Sequence, residues 1–240
     1  MTTTETLSER PACEVCRGTY TIDTAPTWEE LCTEHQTAVN RRLEERLLQN
    51  VLPKTFHKAV VEDVPPRFAT WTGANGVGVY IHGSVGSGKS HTAAALVKRW
   101  YRARLETCNS VENVNLSRYP RIMWRNMPDL IQRTRAAFGT RTGAADPEQL
   151  WLEAQTAELL VIDDIGIEVP RDWVKQRLYS LVEYRLHEQL PTIWTSNQSL
   201  VDLALHLDST QIVSRIKQSC AVLESNYSAD RRAGIRYRAG

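Results

Sequence analysis

Apolar and polar positions change period in blocks along the chain, and each block predicts an element. Val39, Leu43, Leu47 and Val51 recur every four residues with Arg and Glu between them, which predicts a helix over 37–52 that Pro53 stops. Residues 60–72 (VVEDVPPRFATWT) are interrupted by proline and read as a linker or lead-in. GVGVYI at 76–81 is a short apolar strand, and the segment after Lys89 is helical through Ala93, Ala94, Leu96, Val97, Trp100 and Leu105. RIMW at 121–124 predicts a second strand. Pro128 then opens a helix, where its missing N–H would be unpaired in any case. LLVID at 159–163 is apolar up to its acid and predicts a central strand. Val174, Leu178, Leu181, Val182 and Leu186 mark one helical face, and PTIWTSN at 191–197 is a fourth strand. Strands alternating with helices predict an α/β fold with a parallel sheet covered on both faces.

Composition narrows the class. The chain has 240 residues, 42% hydrophobic and 24% charged, which is ordinary globular usage and excludes disorder or fibre as the main state. At ~150 residues per domain, this length suggests one full domain and a small one. No apolar run approaches the ~20 residues of a membrane span. The start, MTTTETLSER, is polar and unlike a secretion signal. Five cysteines make no disulfide scaffold, so the expected setting is a reducing cytoplasm without a membrane partner. Net charge is only +1 but uneven: residues 1–50 carry −4, residues 98–141 carry +7 and residues 211–240 carry +4. Two basic segments flanking the middle of the chain suit a polyanion, and they equally suit arginines spread over solvated faces.

The chemistry is concentrated in GSVGSGKS at 83–90, which fits G-x-x-x-x-G-K-[ST] between a predicted strand and a predicted helix. Glycines let backbone N–H groups turn toward phosphate oxygens, and the helix N-terminus adds about half a positive charge. Gly83, Ser84, Val85, Gly86, Ser87, Gly88, Lys89, Ser90 and His91 are therefore the candidate nucleotide-binding residues. Lys89 is placed to reach the β and γ phosphates of ATP, and the Ser90 hydroxyl to ligate Mg²⁺. Asp163, ending LLVID, is the second expected Mg²⁺ residue, and Asp164 is placed to orient or deprotonate the attacking water. Asn197, at the end of TIWTSN, is a candidate for positioning the same water.

A second constellation lies at the start. Cys13-x₂-Cys16 and Cys32-x₂-His35, fifteen residues apart, have the spacing of a tetrahedral Zn²⁺ site. In a stretch with few apolar side chains, the metal would supply stability that a core cannot. Three segments are expected: a disordered start over 1–10, a zinc-binding, partner-docking module with its helix over 11–52, and an ATPase domain over 53–240.

GSVGSGKS, MPDLIQRTRAAF, LLVIDDIG, TIWTSN and IVSRIKQSCAVLE together resemble the AAA+ ATPases of the DnaC/DnaI helicase-loader group, with the transposition helper IstB as a relative. The likeness runs over about residues 50–235 and implies a five-stranded parallel sheet flanked by helices. It implies that Arg215, in the SRI segment, is an arginine finger donated to a neighbouring subunit in a ring or spiral. It also implies a later nucleotide contact at Arg231. By the same resemblance Phe138 and Trp173 stand where loaders contact single-stranded DNA, with Arg133, Arg135 and Arg171 near enough for its phosphates. Phe138 also lies seven residues after Ile131, on the core face of its own helix, so packing competes with that role. The zinc spacing resembles the DnaI layout, in which the N-terminal module grips a hexameric replicative helicase. The expected function is an ATP-dependent helicase loader. An IstB-like helper on double-stranded DNA, a small-molecule kinase with the same phosphate loop and a zinc adaptor with an inactive ATP site are the alternatives.

Overall fold

The apolar runs become five short strands, β1 (Gly78–His82), β2 (Ile122–Asn126), β3 (Leu159–Ile165), β4 (Thr192–Ser196) and β5 (Cys220–Glu224). They pair in parallel in the order β2-β3-β4-β1-β5. The helices are α1 (Lys89–Glu106), α2 (Met127–Phe138), α3 (Pro147–Thr156), α4 (Asp172–His187), α5 (Leu200–Leu207) and α6 (Thr210–Ser219). This computed structural model describes residues 49–106, 120–138, 147–167 and 171–225, with Arg41 and Glu45 ahead of them. Arg41, Glu45, Gln49 and Asn50 are helical, in line with the period-four pattern.

The five-stranded α/β sheet expected from the motifs is present, with strand ends displaced by a residue or two. β3 is buried along most of its length, but β4 is the middle strand of the sheet. Two cores form, one on each face. Ala93–Val97 of α1 are fully buried on one face with Val79, Ile81, Val161 and Ile193. On the other, Leu130 and Ile131 of α2, Trp151 of α3, Leu178 and Leu181 of α4 and Ile212 and Ile216 of α6 pack on Tyr80, Leu160, Ile162 and Trp194. This two-sided burial is why the strands read as apolar runs rather than alternating ones.

Residues 60–72 are not a linker. Ala59, Val64, Phe68 and Trp71 are buried in the α1-side core, and short 3₁₀ turns at Val61–Asp63 and Pro66–Phe68 shape the path. Pro65 and Pro66 set the second turn, which suits their fixed φ. Asp63 Oδ2 lies 2.7 Å from His91 Nε2, and Lys98 Nζ donates to the His57 carbonyl at 3.0 Å. The lead-in thus clamps the outer face of α1.

Arg185 of α4 is 2% exposed and makes its bonds to neutral oxygens. Nε donates to Thr192 Oγ1 at 2.8 Å, Nη1 to the carbonyls of Ala154, Gln155 and Ala157, and Nη2 to that of Pro191 at 2.7 Å. One cation thereby satisfies the carbonyls at the end of α3 and fixes the entry to β4, where a positive charge suits the helix C-terminus. Arg185→Met should lower the unfolding free energy by about 2–4 kcal/mol, because several buried carbonyls lose a charged donor. Urea titration followed by circular dichroism checks this, and an unchanged midpoint would contradict it.

Candidate nucleotide site

Residues 83–88 form the loop between the end of β1 and the start of α1. Gly86 and Gly88 take φ of 80° and 87°, in the left-handed region where a side chain is strained. The loop is anchored from behind. Gly83 N donates to the Ser196 carbonyl at 3.3 Å, Ser225 N to the His82 carbonyl at 2.6 Å, and Ser225 Oγ to the Ser87 carbonyl at 2.7 Å. Lys89 is buried, and its Nζ donates to the Gly83 and Ser84 carbonyls at 3.1 and 2.8 Å. The ammonium therefore lies along the loop. The Ser87 hydroxyl is buried there without a hydrogen-bond partner among the described residues. A nest of backbone donors, a buried ammonium and an orphaned hydroxyl fit the phosphates of a nucleotide.

The acids arrive from β3. Asn126 of β2 lies in register with Asp163, and β3 then slips by one residue against β4. Trp194 faces Ile162, but Ser196 faces Ile165, so β3 carries an extra residue. Asp164 takes that slack with φ of 63°. Such a bulge re-aims side chains. Here it lets two consecutive acids share one site, although a regular strand would send them to opposite faces.

Thr195 sits across from the bulge and is fully buried. Its Oγ1 donates to Asp163 Oδ1 at 2.5 Å and accepts from Asp164 N at 2.9 Å. Ser90 Oγ donates to the same Asp163 oxygen at 2.8 Å. Asn126 Nδ2 donates to Asp164 Oδ2 at 3.2 Å. The motif reading missed Thr195 and Asn126. A polar residue inside the buried TIWTS strand was the available signal for Thr195; for Asn126 there was only its place at a strand end.

Burial pushes the Asp163 carboxyl above its ordinary value, and the neighbouring Asp164 charge adds to the rise. The hydrogen bonds from Thr195 and Ser90 and the Lys89 charge pull the other way. A buried carboxylate joined to a serine hydroxyl at the mouth of a phosphate loop is an all-oxygen donor set, which fits Mg²⁺.

The remaining candidates are dispersed. Asn197 stands one residue past β4 and is exposed. His91 is paired with Asp63, its Nε2 2.7 Å from Oδ2. Arg215 lies on α6, with its Nε 2.9 Å from Glu183 Oε2 of α4. Trp173 is half-buried against the core at the start of α4, and Arg171 is exposed just before it. Arg133 and Arg135 are exposed on α2, with Arg133 Nε 2.8 Å from Asp129 Oδ2. Phe138 ends α2. Cys13, Cys16, Cys32, His35 and Arg231 lie outside the described residues. Among the described residues, no helix is long and apolar enough to cross a membrane.

The sequence is similar to that of the replicative helicase loader DnaI of Bacillus subtilis (strain 168): 26% identical over 176 residues, which cover 68% of this chain and 50% of that protein. The chain thus spans about half the length of the curated relative it matches. The crystal structure of the DnaC helicase loader aligns with a TM-score of 0.56 at 23% identity, over 72% of this chain and 99% of that one. A replication initiator DnaA, bound to AMPPCP and single-stranded DNA, aligns with a TM-score of 0.52 at 17% identity, over 76% of this chain and 53% of that one. No family model matches the chain. The expected α/β fold with a five-stranded parallel sheet, shared with these solved structures, and the resemblance to DnaC/DnaI-type loaders are therefore both borne out, at modest identity.

Asp163→Asn tests the acid pair by its pH signature. A carboxyl whose folded pKa is raised favours the fold when protonated and opposes it when ionised. The variant should therefore melt higher than wild type at neutral pH without nucleotide. Its advantage should vanish toward pH ~4, where the unfolded carboxyl also protonates. Differential scanning calorimetry from pH 4 to 8 checks this, and a constant difference across the range would contradict it.

Proposed function

We propose that this chain is an ATP-switched loader of a hexameric replicative helicase that binds single-stranded DNA. The observation that carries the reading is the 2.8 Å contact of Ser90 with Asp163 at the mouth of the phosphate loop. That is the pair a magnesium nucleotide needs, on the fold that DnaI and DnaC share. The loop amides and Lys89 bind the phosphates, while Ser90 and Asp163 hold Mg²⁺. When bound, MgATP supplies the phosphoryl group that water cleaves to ADP and phosphate.

Within this site Asp164, held by Asn126, orients the attacking water or takes its proton, and Asn197 helps to position the same water. Asp is one methylene shorter than Glu, which suits slow turnover and therefore a switch more than a motor. Arg215 enters a neighbour's site, where a planar cation stabilises charge spread over the transferred group. Ring or spiral assembly is then a condition of hydrolysis. Trp173 and Phe138 stack on bases and Arg133, Arg135 and Arg171 take phosphates, a mode without sequence preference. Cys13, Cys16, Cys32 and His35 hold Zn²⁺ in the module that docks on the helicase. Arg231 contacts the nucleotide.

Lys89→Ala should weaken ATP-dependent binding of a fluorescent oligonucleotide by about 100-fold or more, since the phosphates lose their buried cation. A wild-type chain that stays monomeric with MgATP, ignores single strands and phosphorylates a metabolite would replace this reading with a kinase. For the N-terminal module, elemental analysis should find about one zinc per chain, lost in Cys13→Ser/Cys16→Ser together with capture of the helicase. Capture that survives loss of the metal would remove zinc from the docking role.

A further inference from the structure

Arg215 carries a contact that donation to a neighbour does not by itself require. Its Nε lies 2.9 Å from Glu183 Oε2 on α4, and its Nη1 donates to Gln218 Oε1 at 3.1 Å. The other Glu183 oxygen lies 3.6 Å from His187 Nε2, one turn along α4. The pair is partly open, with side chains 27% exposed at Glu183 and 39% at Arg215. α4 and α6 stay together without it. Val174, Leu178, Leu181 and Val182 share a buried cluster with Ile212, Val213 and Ile216. An exposed ion pair changes a folding equilibrium by at most about fivefold. Its larger effect is on the guanidinium, which would otherwise sample many rotamers. Held by the ion pair with Glu183 and by the Nη1 hydrogen bond to Gln218, the group keeps Nη2 and one Nη1 proton for an anion. Arginine grips phosphate through a planar fork, so the fork's orientation matters as well as its charge.

We propose that Glu183 is the positioning residue for Arg215, holding the guanidinium so that its remaining N–H groups meet the nucleotide phosphates of a neighbouring copy of this chain. This rests on the reading of Arg215 as a group donated in trans. Glu183 touches no phosphate itself; it acts by reducing the freedom that Arg215 must lose on docking.

Mixed subunits separate the two ideas. The acceptor is the full chain with Arg215→Ala, which keeps its own nucleotide site. The donor is the full chain with Lys89→Ala, which keeps Arg215 but not the site. ATP turnover of the mixture is measured against each alone and normalised to the donor that co-sediments with the acceptor. No gain from this donor would overturn Arg215 as a group acting in trans, and the present inference with it. Given a gain, a donor that also carries Glu183→Gln should restore turnover about 3- to 10-fold less well, and Glu183→Ala less well again, because Gln keeps the shape and a polar oxygen beside the guanidinium but not the charge, and Ala keeps neither. KM for ATP in the acceptor should stay the same, since the group acts on the transferred phosphoryl. Equal restoration per bound donor, or stronger restoration with Glu183→Ala, would overturn the positioning role and leave the trans reading standing.

Discussion

One buried carboxylate oxygen holds the site together. Asp163 Oδ1 takes the hydroxyl protons of Ser90, from the first turn of α1, and Thr195, from the middle strand. Three elements thereby meet at one atom: the helix that follows the phosphate loop, the strand that brings the acids and the strand between them. Burial makes this arrangement costly for the ion. The cost is offset by the two hydroxyls and the nearby ammonium, and it is what leaves the site tuned to a cation. An apolar residue at 163 would pack well and remove the chemistry, a usual trade between stability and function.

The bulge in β3 is the second half of that constraint. A parallel strand with regular pleat presents alternate residues to opposite faces. Two adjacent acids can serve one site only if the ladder gives way between them, and the left-handed backbone at Asp164 is where it does. Thr195 fills the gap, accepting the displaced amide while donating to the neighbouring acid. Strain, register shift and buried hydroxyl are thus one feature described three ways.

Electrostatics reads differently in space than along the chain. Part of the basic excess over residues 98–141 is met by acids from elsewhere: Arg104 lies 3.3 Å from Glu158 and Arg125 3.8 Å from Glu153. Arg133 pairs within its own helix, and Arg177 with Glu148. α3 and the turn after it supply Glu153 and Glu158, so the helix that periodicity did not reveal offsets part of a charge that composition made prominent. Arg185 is the opposite case, a cation spent on four backbone carbonyls and one hydroxyl, with no carboxylate partner among these bonds.

The phosphate loop, its acid strand and the alternation of strands with helices were determined by sequence alone, because each depends on neighbours a few residues apart. A glycine turn needs glycine wherever it sits, and a strand buried on both faces needs an apolar run. The prolines of residues 60–72 looked like a linker because periodicity cannot register side chains that reach a core one at a time. α5, α6 and β5 escaped for a related reason: they are short, and β5 lies at the sheet edge with Val222 exposed. The partnership of Thr195 with both acids, of Asn126 with Asp164 and of Glu183 with Arg215 was decided only in the tertiary structure. Each joins residues tens of positions apart through a hydrogen bond or ion pair, and such bonds depend on the register of packed elements rather than on local pattern.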